Sequence, residues 1–224
     1  MSFVQELHEK FSKEFNVSVS HPLTNELCHG TLPDYKLYTY LVQDLKFFQD
    51  GLKIFGAALT HCDDKDAAIV LGKQIGFVCN DENTYFHTCL DQLRKDSTSE
   101  LQAHVPDMVT SAPVLPGTKK YLNELERLAF CQDYPTIITS MYVMEKCYLG
   151  WVVHNGKLPK LEYKHQEWVN LHSGPEFAAW VDFLASEVDR VAKNEDRKKR
   201  MTTAFASTVQ LEIDFFEACY NYGQ

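Results

Sequence analysis

Four acidic residues stand where a helical protein places leucine. Asp44 lies among Leu37, Leu41, Phe48 and Phe55, and Glu82 among Ile75, Cys79, Phe86 and Leu93. Glu145 lies among Ile137, Met141, Tyr148 and Val152, and Glu212 among Phe205, Phe215, Phe216 and Cys219. Spacings of three, four and seven put each acid on the apolar stripe of its own helix, facing the core. Burying an unpaired carboxylate costs on the order of several kcal/mol, so a fold rarely keeps one without a partner or a use. Taken singly, each acid could be paired with a buried Tyr, Trp or Lys. Four of them on four helices point to one polar pocket inside a helical bundle.

Aromatic residues share or flank these stripes: Phe47, Phe48, Phe86, Tyr121, Tyr142, Tyr148, Trp168, Phe215 and Phe216. An aromatic-walled pocket with a few carboxylates suits a small, flat, nitrogen-rich ring. Such a ring stacks on the aromatics and donates amine protons to the acids. Burial also raises carboxylate pKa values toward the range useful for proton transfer.

Other chemistries fit less well. A ferritin-like di-metal site needs a histidine three residues after two of the acids. Phe47, Tyr85, Tyr148 and Phe215 occupy those places, and His87 lies five beyond Glu82, off its face. His8, His21 and His29 lack the surroundings of a haem ligand. Cys147 falls about 100° around the helix from Tyr148, off the centre of the Glu145 face, and reads as a packing thiol. There is no GxSxG, P-loop or GxGxxG.

Helical periodicity dominates, and alternating β-type runs with hairpin turns are absent. The spacing predicts helices at 3–15, 21–29, 34–61, 65–95, 118–130, 135–153, 160–172, 175–192 and 196–221. Pro33 sits near the first turn of the third, and Asp63-Asp64 suits the positive N-terminus of the fourth. Gly156 supplies a cap after the sixth. The stretch Asp96 to Gly117, with three prolines, reads as a long connection with one helical turn at 99–104. No repeat, low-complexity tract or domain-scale linker divides residues 1–224, so one helical domain is expected.

Net charge is −9, and the basic run Lys193 to Arg200 contains acids and lies between two helical patterns. It reads as a solvated turn, so no nucleic-acid partner is expected. The N-terminus lacks the apolar core of a signal peptide, and no stretch reaches the roughly 18 apolar residues of a membrane span. Seven cysteines without a CxxC pair, most on apolar stripes, predict reduced thiols in a cytoplasmic protein.

Several stretches carry a pattern beyond periodicity. They are His21-Pro22-Leu23, Gly30-Thr31-Leu32, Tyr40-Leu41-Val42-Gln43-Asp44 with Phe47-Phe48, and Asn80-Asp81-Glu82. They continue with Tyr134-Pro135, Met144-Glu145-Lys146-Cys147-Tyr148, Trp168 with Phe177, and Leu211-Glu212-Ile213-Asp214-Phe215-Phe216. From about residue 21 to 219 this pattern resembles the TenA family of thiamin-salvage enzymes. The resemblance implies the all-α, haem-oxygenase-like fold. It also implies hydrolysis of a C–N bond in an amino- or formylamino-pyrimidine derived from thiamin breakdown, giving hydroxymethylpyrimidine or its amino precursor.

The commoner branch of that family has a nucleophilic cysteine four residues before the tyrosine, where Met144 stands here. The other branch carries Glu-x-x-Tyr, and Glu145 to Tyr148 fits it. Carried over, the resemblance gives Asp44 the ring nitrogen and amino group, and gives Phe47 and Phe215 the ring faces. Tyr148 supports the site by hydrogen bonding. Glu82 and His172 join the substrate-binding set, His172 standing where the cysteine type has a pocket tyrosine. Glu126 stands near the place of another. Glu145 is then the base that activates water, and Glu212 the acid at the leaving nitrogen. The expected partner is a small aminopyrimidine, with no metal and no cofactor, in a homo-oligomer of two or four copies. Two alternatives remain open: a pyrimidine-binding or regulatory protein without turnover, and a metal-dependent oxidase of the same fold.

Overall fold

The computed structural model describes residues 1–224, which form helices and no strands. Helices α1 (Phe3–Lys10), α2 (Ser12–Val19) and α3 (Pro22–His29) open the bundle. Its long members are α4 (Asp34–His61), α10 (Tyr134–Asn155) and α13 (Glu195–Asn221). Between them lie α5 (Lys65–Phe77), a π turn (Val78–Glu82), α6 (Asn83–Asp96), α7 (Thr98–His104), α8 (Pro106–Thr110) and α9 (Pro116–Ala129). The remaining helices are α11 (Tyr163–Leu171) and α12 (Gly174–Val191).

Helix α10 is the hub. It packs on α13 and α12, while α4 packs on α9, and α13 touches both α9 and α4. Its burial from Tyr134 to Met144 is nearly all round, as expected for a helix without a polar face. One contiguous cluster of 53 buried residues runs through the bundle and contains all four acid-bearing stripes' apolar members Leu37, Met141, Phe86 and Phe205. No helix is long and apolar enough to cross a membrane.

Close approach of α9 to α13 depends on Gly117. A Cβ there would lie 2.3 Å from the Asp214 carbonyl oxygen and 2.8 Å from Ala218 Cβ. The expected glycine cap of α10 is present: Gly156 adopts φ 65°, and its N–H donates to the Val152 carbonyl.

Three expectations need correction. The helix predicted over 3–15 is broken at Phe11 (φ −112°, ψ 24°), because α1 must bury Phe3, Val4 and Leu7 while α2 turns to bury Ser18 and Val19. The connection 96–117 holds two helices rather than one turn. Leu101, Val105 and Met108 are buried there. Gln43 anchors the chain beyond them, donating to the Pro113 carbonyl at 2.8 Å and accepting from Leu115 N–H at 3.1 Å. The helix predicted over 65–95 is interrupted by the π turn, with consequences for Glu82. Ile75 is only half-buried and Cys79 is exposed, so the α-helical stripe drawn through them does not exist.

Candidate active site

A cavity of about 70 Å³ opens between α4, the α5–π turn, α10 and the junction of α11 with α12. Its acids are Asp44, Glu82 and Glu145. Its flat and apolar walls include Phe47, Phe48, Phe77, Phe177 and Met144, and its other polar members are Gln74, Tyr148 and His172. No lysine or arginine lines it.

Asp44 is buried. Tyr148 Oη donates to its Oδ1 at 3.3 Å, and its Oδ2 has no partner. Burial pushes the Asp44 carboxyl up to about 7, against the pull of the nearby Tyr40 and Tyr148 hydroxyls. Tyr40 Oη lies outside good hydrogen-bond geometry and is itself unpartnered. Glu145, partly accessible from the cavity, is likewise pushed up to about 7 by burial, the Trp180 indole opposing. Glu82 is raised well above the usual carboxylate range, by burial first, then by the Glu145 and Asp44 charges. The Glu145 and Asp44 charges thus favour the protonated form of Glu82.

His172 caps the polar end of the cavity. Its Nδ1 lies 2.9 Å from the Trp168 carbonyl oxygen, and its ring sits 4.0 Å from the Trp168 ring and 4.9 Å from that of Tyr148. Burial lowers the imidazole to about 4, so the ring is neutral. Its Nε2 is 3.9 Å from Glu82 Oε1.

Two residues expected at the site lie behind it. Glu212 is fully buried and absent from the cavity wall; Tyr121 Oη donates to its Oε1 at 2.6 Å, and Oε2 has no partner. Its carboxyl is raised well above normal by burial, which Tyr121 opposes and the Asp44 and Glu145 charges reinforce. Phe215 backs Phe47, with ring centroids 6.1 Å apart, and does not reach the cavity. Glu126 is exposed; its helix buries Gly117, Thr118, Tyr121, Leu125 and Leu128 instead. Cys147 is buried off the wall beside Ser18 Oγ at 3.3 Å, and burial drives its thiol pKa far up. No three His, Cys, Asp or Glu side chains gather closely enough to hold a metal ion.

Sequence reasoning missed Gln74 and Phe77. They share one face of the last turn of α5, at a spacing of three, just before the π segment.

An all-α bundle with a pocket of buried carboxylates and aromatic walls defines the class. A model of the TENA/THI-4/PQQC family matches residues 8–222, and the chain belongs to that family. It is 24% identical to an aminopyrimidine aminohydrolase of Halalkalibacterium halodurans, across 99% of this chain and 96% of that one. It is 20% identical to an aminopyrimidine aminohydrolase of Helicobacter pylori, across 98% and 99%. Among solved structures, a TenA homologue from Pyrococcus horikoshii OT3 superposes with a TM-score of 0.80 at 15% identity, covering both chains completely. A TenA homologue from Pyrococcus furiosus gives 0.74 at 21% identity, covering 97% of this chain and all of the other. The all-α, haem-oxygenase-like fold expected from the motifs is the fold observed.

Proposed function

We propose that this chain hydrolyses a C–N bond of an amino- or formylamino-pyrimidine, with water as the nucleophile. The observation that carries the reading is the cavity itself: three carboxylates, flat aromatic walls and no cationic side chain. Such a site is short of donors and positive charge, which an aminopyrimidine supplies. Relatives named aminopyrimidine aminohydrolase, aligned over nearly the whole chain, support the same substrate class.

Asp44 Oδ2, buried and unpartnered, is the acceptor for the ring's amino group, and Phe47 offers a face for the ring. Tyr148 fixes Asp44. Met144 holds the place of the nucleophilic cysteine and has no proton to give or take. Glu145, one residue on and open to the cavity, takes the proton from water as its oxygen bonds to the substrate carbon. A carboxyl near 7 is well matched to that task at neutral pH. Glu212, behind the wall, keeps its own proton: burial first, then the Asp44 and Glu145 charges, raise its carboxyl well above normal.

The test is turnover of a small panel of aminopyrimidines and formylamino-pyrimidines in ¹⁸O-water, read by mass spectrometry. Hydrolysis places one ¹⁸O in the product alcohol or in formate. Tight binding without turnover of any member makes the chain a binding protein instead.

A further inference from the structure

Glu82 owes its direction to a change of helix type. The turn Val78–Glu82 is π-helical between two α-helical stretches. One extra residue in a turn rotates everything after it by about 100° relative to an uninterrupted α-helix. Cys79 therefore faces solvent while Glu82 faces the cavity. Single π turns of this kind concentrate at functional sites, because they cost helix stability and are kept for what they aim.

His172 faces Glu82 in a defined tautomer. A carbonyl oxygen only accepts, so the contact with Trp168 O places the ring proton on Nδ1. Nε2 is left as a lone pair 3.9 Å from Glu82 Oε1. A small rotation of the glutamate closes that gap, and only a protonated Glu82 can then donate to Nε2. The other charged groups facing Glu82 are Glu145 from α10 and Asp44 from α4, both acidic, so a proton on Glu82 relieves their repulsion. Glu212 has no such access. Its side chain is 0% exposed and occupied by Tyr121, whereas 18% of the Glu82 side chain is accessible at the cavity.

We propose that Glu82, not Glu212, protonates the departing nitrogen, and that His172 Nε2 positions its carboxyl. This rests on the hydrolytic reading. As Glu145 removes one proton from water, the C–O bond forms and the C–N bond breaks, its electron pair staying on nitrogen. The Glu82 proton moves to that nitrogen, giving an alcohol and a neutral amine. Glu145 is then protonated and Glu82 ionised. The proton returns between these neighbours after release, and no other reactant is consumed.

The experiment compares two substrates sharing one aminopyrimidine: one with an amine leaving group, and one with 4-nitrophenolate, which departs without a proton. Glu82→Gln is expected to lose about 10²- to 10⁴-fold on the amine and to stay close to wild type on the nitrophenyl ether. Glu82→Asp should recover part of the loss, and Glu212→Gln should affect both substrates alike. The product pyrimidine should bind Glu82→Gln as it binds wild type by calorimetry. His172→Phe removes the acceptor for the Glu82 proton, so the basic limb of the kcat/KM profile should move to lower pH. Equal loss on both substrates, no loss on the amine, or lost product affinity overturns the assignment of Glu82. An unmoved basic limb removes His172. A wild-type protein that turns over neither substrate sinks the hydrolytic reading itself, whereas an active wild type with an unaffected Glu82→Gln removes only the role of Glu82.

Discussion

Tyr148 Oη on α10 donates to Asp44 Oδ1 on α4 at 3.3 Å, leaving Asp44 Oδ2 buried without a partner. Two helices distant in sequence thus hold one carboxylate with half its acceptor capacity unused. In a folded protein such an oxygen is either a standing cost or a place reserved for a ligand donor.

Asp44→Asn should therefore weaken binding of an aminopyrimidine. The amide keeps the size of the carboxylate but presents donors to an amino group that is itself a donor. Hydrogen bonds to a charged group contribute about 1.5–3 kcal/mol, so the expected loss is about ten- to hundredfold in Kd. Calorimetry checks it, and unchanged affinity would remove Asp44 from the site.

Glu145→Gln should reduce kcat by about 10²- to 10⁴-fold with little change in ligand affinity. In the wild type, kcat/KM should rise with pH through an acidic limb near 7, because the base must be ionised and Asp44 titrates in the same range. Stability should move the other way. Glu145 is pushed up from 4.5 to about 7 by folding, so between those values the folded state binds more protons than the unfolded. Unfolding free energy then falls as pH rises through that window, by on the order of 3 kcal/mol for this group. Glutamine has no charge to desolvate, so melting of Glu145→Gln should be flatter from about pH 5 to about pH 8 and higher than wild type at the alkaline end. A mutant that turns over normally and melts lower at every pH would mark Glu145 as structural.

Thiol alkylation should leave turnover intact. Cys79 alone is exposed, Cys62 and Cys131 are half-buried, and the other four cysteines are buried. Peptide mapping after iodoacetamide should find Cys79 labelled first and Cys147 last. Loss of activity that tracks labelling of Cys147, with protection by substrate, would reinstate a cysteine mechanism.

Gly117→Ala should destabilise the protein by about 1–3 kcal/mol, since the new methyl group must push α9 away from the α13 backbone. The same shift loosens the Tyr121–Glu212 bond, 2.6 Å long between those two helices. A lower Tm accompanied by lower kcat is expected; an unchanged Tm would show that the two helices separate freely.

Much of the site was legible in the residues. Asp44 and Glu145 sit on unbroken α-helices, where a spacing of three or four fixes the face a side chain takes, and both reach the cavity. Glu82 also reaches it, but by another route: Ile75 and Cys79, two of the residues read as its stripe, do not face the core, and a π turn supplies the rotation that α-periodicity cannot encode. Glu212 was read correctly as inward and buried. Inward, however, is a property of one helix, whereas lining a cavity depends on what stands in between, here Tyr121 and Phe47 from two other helices. The sequence by itself determined the helical class, the family and the inward acids, because local spacing and short motifs carry that information. Only the tertiary structure decided which acids share the cavity, which nitrogen of His172 faces Glu82, and which oxygen of Asp44 is left free, because those depend on distances between helices far apart in the chain.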